Sequence, residues 1–139
     1  SPGPGLPDEY PLLYDVLDKY YSTKSILGIC LGHQIIGSYF DAELINLKEV
    51  LHGVKSIVNH YGNCNLFDNI PEIFEAGHYH SWIISDYQFP ECLQVTSLNN
   101  KDIITSFRHK YFDVKGVQFH PESILTSYGH QMVKNWIDN

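Results

Sequence analysis

The sequence is short of three features, and each shortage excludes a class of protein. No apolar run approaches the roughly 18 residues that a membrane-spanning helix needs. Basic residues are few, 9 against 16 acidic ones, and the net charge of −7 argues against a nucleic-acid partner, which needs a basic surface. The three cysteines are odd in number and far apart, which does not fit a disulfide framework. They suit a reducing compartment, so we expect a cytoplasmic protein.

The chain has the length of one domain and enough apolar residues for a core, since 43% of its 139 residues are hydrophobic. Periodicity predicts helices at 10–21, from about 31, and at 126–137. Predicted strands lie at 25–27, 42–47, 73–84, 93–97, 103–107 and 114–119. Residues 48–65 are expected to form a loop and a short strand, with a turn at 52–53. This order predicts a mainly parallel sheet with an antiparallel extension.

Residues 28–34, Gly-Ile-Cys-Leu-Gly-His-Gln, join a predicted strand to a predicted helix. Cys30 therefore lies at a sharp strand-to-helix turn, the geometry of a nucleophile elbow. Gly28 and Gly32 tolerate the positive φ and the close backbone approach that such a turn needs. The free N–H groups of the helix N-terminus favour a thiolate at Cys30. The alternative is a buried structural cysteine, since free cysteines are often buried.

Residues 116–123, Gly-Val-Gln-Phe-His-Pro-Glu-Ser, end a later strand and bring a histidine close to a carboxylate. His120 and Glu122 are two residues apart, so on an extended backbone their side chains fall on the same side. Pro121 keeps the backbone extended there. A carboxylate beside an imidazole fixes its tautomer, and a cysteine with a distant histidine is typical of a cysteine nucleophile. A structural histidine beside a surface glutamate is the alternative.

These two motifs, with the Ser-Pro-Gly-Pro-Gly loop at 1–5, resemble the triad-type (class I) glutamine amidotransferases over essentially the whole chain. Residues 79–81, 123–125 and 129–131 resemble the glutaminase component (component II) of anthranilate synthase or aminodeoxychorismate (para-aminobenzoate) synthase. The resemblance implies a three-layer, flavodoxin-like α/β fold with a mainly parallel central sheet flanked by helices and an antiparallel extension. It implies no cofactor and no metal.

The resemblance also implies a role for each motif. Cys30 would attack the side-chain amide of glutamine, His120 would move the proton, and Glu122 would orient His120. Backbone N–H groups of Gly3 and Leu31 would form the oxyanion hole. The positions that match the family's glutamine-holding residues are Gly3, Pro4, Gly5, Gln34, Ser81 and Trp82. Trp82 departs from the family pattern, where a smaller apolar residue is usual, so we expect a slightly reshaped glutamine pocket.

By resemblance, the chain would hydrolyse L-glutamine to glutamate and ammonia. It would pass the ammonia to a chorismate-using synthase partner (component I) in a heteromeric complex, with no nucleic acid or membrane involved. The product would be anthranilate, for tryptophan, or 4-amino-4-deoxychorismate, for folate; the sequence leaves both open. Two other readings remain: a stand-alone cysteine hydrolase of γ-glutamyl compounds, and a non-enzymatic binding domain on the same fold.

Two further expectations concern the domain and the remaining histidines. The family has strands and a helix before the loop at 1–5, so we expect residues 1–139 to be a single glutamine amidotransferase domain that lacks its N-terminal strands. No Cys-x-x-Cys or His-Glu-x-x-His pattern occurs. His78 and His80 share one strand face and are the only local histidine pair that could suggest a metal site, but a metal is not expected there. We expect most histidines outside the 120–122 pair to be exposed or hydrogen-bonded.

Overall fold

Helices and strands alternate at the start of the chain and strands dominate its middle, as the periodicity predicts. A computed structural model describes residues 1–138, without the side chain of Glu49. The strands are β1 (Ile26–Ile29), β2 (Leu44–His60), β3 (Ile73–Ile84), β4 (Leu93–Asn99), β5 (Ile104–His109) and β6 (Val114–Val117). The helices are α1 (Pro11–Tyr20), α2 (Leu31–Tyr39) and α3 (Gly129–Ile137). None of these helices, within residues 1–138, has the length and hydropathy that a membrane span needs.

The strands form one sheet in the order β1-β6-β5-β4-β2-β3. The expected α/β fold, with helices flanking a sheet that carries an antiparallel extension, is confirmed. Its parallel part is smaller than expected: among residues 1–138 only β1 and β6 pair in parallel, and every other pair is antiparallel. Short connections explain this, because β4, β5 and β6 follow one another through tight turns, which only antiparallel neighbours allow.

The expected loop and short strand at 48–65 are only partly right, because β2 runs to His60 and the non-strand segment begins only after it. The pairing of β2 with β3 shifts register between Asn46 and Leu51 and again between His52 and Val54. Gly53 lies at the second shift with φ +66°, a conformation that glycine adopts readily. The residues that suggested a turn therefore form a bulge. The closing helix begins at Gly129 rather than at 126, because hydrogen-bonded turns occupy the residues before it.

Apolar side chains pack on both faces of the sheet, which gives three layers. One cluster joins α1 and α2 to the sheet and includes Leu17, Ile35, Ile36, Phe107 and Val114. The other lies on the α3 side and includes Val58, Phe74, Val117, Phe119 and Met132. Strand β6 contributes to both clusters, because successive side chains of a strand point to opposite faces. The strand that leads to His120 is thus fixed from both sides.

Five histidines are buried among the described residues, namely His33, His60, His78, His80 and His109, and burial lowers the pKa of three of them strongly. Burial lowers the pKa of His33 to about 3 and the pKa values of His78 and His80 to about 4. His78 and His80 hydrogen-bond to each other, Nδ1 to Nε2, at 3.1 Å. His33 packs on Phe107, with ring centroids 4.6 Å apart, and its ring also lies against the backbone of Gly116. His33 therefore acts as a core side chain, which does not contradict the expectation that most histidines are exposed or hydrogen-bonded.

We expect the free energy of unfolding to fall as the pH drops from about 6.5 towards about 4. The unfolded chain takes up protons at the ordinary histidine pKa, whereas the folded protein keeps these three rings neutral to lower pH. Protonation therefore favours the unfolded state, at a cost that approaches about 1.4 kcal/mol per pH unit for each ring. Urea denaturation across this pH range measures the slope.

His33 offers the sharpest variant for this test. His33→Leu should reduce the slope of stability against pH, because one protonation site of the unfolded chain is removed. The exposed His130 provides the matched control, and His130→Gln should keep the wild-type slope. An unchanged slope in His33→Leu would contradict the assignment of a buried neutral ring at this position.

Candidate active site

The backbone at Cys30 turns sharply between β1 and α2. Cys30 has φ 51° and ψ −104°, an uncommon conformation for a residue with a side chain. Its N–H donates to the carbonyl oxygen of Val117 on β6 at 2.8 Å, and its carbonyl oxygen accepts from the N–H of Gln34 at 3.1 Å. The strained residue is therefore held by the sheet on one side and by the helix on the other.

The glycines beside the elbow serve close packing. Neither Gly28 nor Gly32 has a positive φ, so that part of the expectation is wrong, and Cys30 itself has the positive φ. A Cβ atom on Gly28 would lie 2.5 Å from the carbonyl oxygen of Gly32 and 2.6 Å from Cδ1 of Ile36. Only a glycine lets β1 and the first turn of α2 approach this closely.

The loop at 1–5 lies against the same turn of α2. A Cβ atom on Gly32 would lie 3.8 Å from Cδ of Pro2. Gly3 and Gly5 have φ values of +122° and +117°, which disfavour any side chain. The hydroxyl of Tyr10 donates to the carbonyl oxygen of Pro4 at 2.7 Å and anchors the loop. The structure thus brings the Pro-Gly loop to the elbow.

His120 and Glu122 form a hydrogen-bonded pair just beyond β6. Nδ1 of His120 lies 2.7 Å from Oε1 of Glu122, which leaves Nε2 as the ring nitrogen available for proton exchange. The ring of Tyr79 packs edge-on against His120 with centroids 5.2 Å apart. The N–H of His120 donates to the carbonyl oxygen of Gly77, and its carbonyl oxygen accepts from the hydroxyl of Thr126. Strand β3 therefore fixes both the backbone and the ring of His120.

A buried chain of side-chain amides leads to the thiol of Cys30. The Nε2 amide group of Gln118 donates to Sγ of Cys30 at 3.7 Å. Nε2 of Gln34 in turn donates to Oε1 of Gln118 at 3.1 Å and to the carbonyl oxygen of Trp82 at 2.8 Å. Gln34 is 2% exposed, so its amide is committed to this chain rather than to open solvent. Ser81 and Trp82 lie on β3, and the amide chain links that strand to the elbow.

Gln118 is the residue that the sequence analysis missed. It lies inside the motif at 116–123, but nothing in that motif says that its amide meets a cysteine 88 residues earlier. The signal is the parallel register, in which Ile29 is paired with Val117, so the next residues, Cys30 and Gln118, are neighbours. A local sequence pattern cannot reveal this register, because it pairs two segments that are far apart in the chain.

Comparison with known proteins agrees with this geometry. The family model described as "Glutamine amidotransferase class-I" matches residues 1–139. The chain belongs to this family. The flavodoxin-like fold expected of a class I amidotransferase is supported by a solved Thermoplasma acidophilum protein, provisionally named as part of a GMP synthase. It superposes with a TM-score of 0.84 at 27% identity and covers 94% of this chain. This chain spans 63% of that one.

Curated relatives cover nearly all of this amidotransferase chain. A Haemophilus influenzae protein provisionally named anthranilate synthase component II is 43% identical over 99% of the chain and 71% of its own length. Aminodeoxychorismate synthase component 2 of Klebsiella aerogenes is 39% identical over 99% and 73%. A Bacillus subtilis relative named aminodeoxychorismate/anthranilate synthase component 2 is 36% identical over 99% and 71%.

The environment of the thiol in this class-I amidotransferase keeps Cys30 protonated at rest. Burial raises the pKa of Cys30 above its ordinary value, and the negative charge of Glu122 raises it further. Hydrogen bonds from the backbone N–H of Leu31 and from Gln118 act in the opposite direction, but burial prevails. Burial raises the pKa of Glu122, but its hydrogen bonds with His120 and with a backbone N–H, together with nearby positive charge, outweigh burial and keep this pKa below the ordinary value. Glu122 is therefore ionised at neutral pH.

Alkylation of Cys30 by iodoacetamide, followed by peptide mass spectrometry across pH, tests these contributions. Gln118→Met removes an N–H donor to the sulfur and should raise the pH at which alkylation is half-maximal. Glu122→Gln removes a nearby negative charge and should lower it. Alkylation of Cys92 in the same samples is the internal control and should not shift. Shifts in the same direction in both variants would show that the two contributions are misassigned.

Proposed function

We propose that this chain is the glutaminase subunit of a chorismate-using synthase, in which Cys30, His120 and Glu122 form the catalytic triad. The observation that supports this most directly is the parallel pair β1 and β6. One strand ends at a strained cysteine and the other leads to a His–Glu pair, at the same edge of the sheet. Relatives named as component 2 of anthranilate and aminodeoxychorismate synthases support the same role.

The reaction begins with proton transfer from the thiol of Cys30. Because the raised pKa keeps the thiol protonated at rest, a base has to remove the proton as attack begins. Nε2 of His120 takes this proton, and Glu122 stabilises the imidazolium through Nδ1. The thiolate attacks the side-chain carbonyl carbon of glutamine. His120 then gives the proton to the leaving nitrogen, so ammonia departs and a glutamyl thioester remains.

Water completes the cycle. His120 removes a proton from water, the hydroxide attacks the thioester, and glutamate leaves as the sulfur regains the proton. Both tetrahedral intermediates carry an oxyanion, which the backbone N–H groups of Gly3 and Leu31 receive. Preorganised donors of this kind contribute about 3–4 kcal/mol each to the transition state. The positive φ of Gly3 and the helix start at Leu31 suit this use of backbone N–H groups.

Glutamine lies between the loop at 1–5 and β3. Gly3, Pro4 and Gly5 form one side of the pocket, and Ser81 and Trp82 form the other. Gln34 supports the pocket indirectly. Its side-chain amide fixes the backbone of Trp82 and orients Gln118 towards the sulfur of Cys30. The larger side chain at Trp82 narrows the pocket around the substrate.

The released ammonia serves a separate synthase chain, which adds it to chorismate. The product is anthranilate or 4-amino-4-deoxychorismate, and relatives with each name match the chain nearly end to end. The complex acts in the cytoplasm, a location that fits three cysteines without a disulfide among the described residues.

Cys30→Ser should lower glutamine hydrolysis by at least about 1,000-fold, because the hydroxyl is a far weaker nucleophile in this setting. Synthesis from ammonium salts by the complex with the synthase should persist, since this chain only supplies nitrogen. Glutamate release and product formation are measured with each nitrogen source.

Cys92→Ser is the matched control, because Cys92 is a partly buried free cysteine away from the elbow. It should keep both activities. Glutamine hydrolysis at the wild-type rate in Cys30→Ser would refute the nucleophile. Loss of the ammonia-dependent reaction as well would mean that Cys30 holds the complex together rather than releasing nitrogen.

A further inference from the structure

Two positively charged side chains lie next to each other on adjacent strands, at the end of the sheet away from Cys30. Arg108 on β5 and Lys115 on β6 are direct cross-strand partners in the antiparallel register. Such partners have Cβ atoms about 5 Å apart on the same face, and like charges placed this way repel. Lys115 is only 5% exposed, so solvent screens this repulsion poorly. An unrelieved pair of this kind is unusual in the interior of a sheet.

The surrounding residues relieve only half of this charge. Lys115 forms an ion pair with Asp113. Arg108 makes no ion pair within residues 1–138, and its Nε atom is enclosed without a hydrogen-bond partner. Oδ1 of Asn63 is likewise enclosed and without a partner in the described chain. An orphan donor and an orphan acceptor thus lie beside an excess of positive charge.

A cavity of about 410 Å³ connects these groups. Its charged lining consists of Arg108, Lys110, Lys115 and Asp113, which is three cations against one carboxylate. The chain as a whole carries a net charge of −7, so a lining with an excess of two positive charges contrasts with its background. Asn63 also lines this cavity and contributes its unpartnered Oδ1 atom. The volume lies within the range of small-molecule pockets.

This cavity is separate from the elbow. Lys115 precedes Gln118 by three residues, about 10 Å along an extended strand. The two side chains also point to opposite faces, because an odd number of steps separates them. Gly116 lies against His33 on the α2 side, whereas Val117 packs in the cluster on the α3 side with which Lys115 shares its face. A ligand here would not touch Cys30.

We propose that this cavity binds the phosphate group of a small anionic ligand, with Arg108 and Lys115 as its main contacts. A phosphate carries about −1.5 to −2 charges at neutral pH, which matches the excess of two cations. The guanidinium of Arg108 offers several N–H donors in a planar fork, and Lys115 adds a point charge. The unpartnered acceptor of Asn63 suits a hydroxyl on the same ligand, and the cavity has room beyond the phosphate itself.

Thermal unfolding of the full chain with inorganic phosphate tests the site. Phosphate at about tenfold above its Kd should raise Tm by about 4 °C more than sodium chloride of equal ionic strength. The comparison with chloride removes the effect of simple screening. A parallel series with glycerol 3-phosphate distinguishes an organic phosphate, which should then stabilise at lower concentration, from the free ion.

Arg108→Gln is the decisive variant. It should abolish the excess stabilisation by phosphate and, in phosphate-free buffer, should unfold at a Tm no lower than that of the wild type, because the opposing charge is gone. Lys101→Gln, at an exposed lysine on the β4–β5 turn, should behave as the wild type. Phosphate stabilisation that equals that of chloride, or that survives in Arg108→Gln, would overturn the proposal. A Tm well below wild type in phosphate-free Arg108→Gln would show that Arg108 is already satisfied.

Discussion

The parallel pairing of β1 with β6 is the constraint on which the rest of the structure depends. Its register aligns Gly28 with Gly116 and Ile29 with Val117, and the N–H of Cys30 extends the ladder to Val117. Because parallel strands end at the same edge of a sheet, the residues that follow them become neighbours. A slip of one residue would turn the Gln118 side chain to the opposite face and remove the N–H donor from the sulfur of Cys30.

The elbow concentrates strain that the surrounding packing has to offset. A side chain at positive φ costs on the order of 1–3 kcal/mol, and such strain persists only where neighbours over-determine it. Here the sheet holds the N–H of Cys30, and α2, buried through Ile35 and Ile36, holds its carbonyl. The missing Cβ of Gly28 lets the helix come close enough to do so. Strand β3 plays the corresponding part for His120. Rigid positioning of thiol and imidazole, rather than a lowered thiol pKa, is what this arrangement supplies.

The sequence revealed those parts of the site that depend on local geometry. The elbow at Cys30 follows from a strand, two glycines and a helix in succession, and the His120–Glu122 contact follows from a two-residue spacing. What it did not reveal depends on pairing between distant segments. Gln118 meets Cys30, and Arg108 opposes Lys115, only because of strand register. Gly53 looked like a turn, and only the partner strand β3 makes it a bulge. The burial of His33 likewise arises from its packing on Phe107, which no local pattern encodes.

The central claim is that Cys30 carries the glutamyl group during turnover, and trapping that intermediate tests it most directly. The complex of this chain with the proposed synthase partner is mixed with glutamine, quenched in acid at early times, digested and examined by mass spectrometry. We predict that a glutamyl group is found on the peptide containing Cys30 and is absent from those containing Cys64 and Cys92. Turnover of glutamine with the glutamyl group on another residue, or with none on Cys30 at any time, would contradict it.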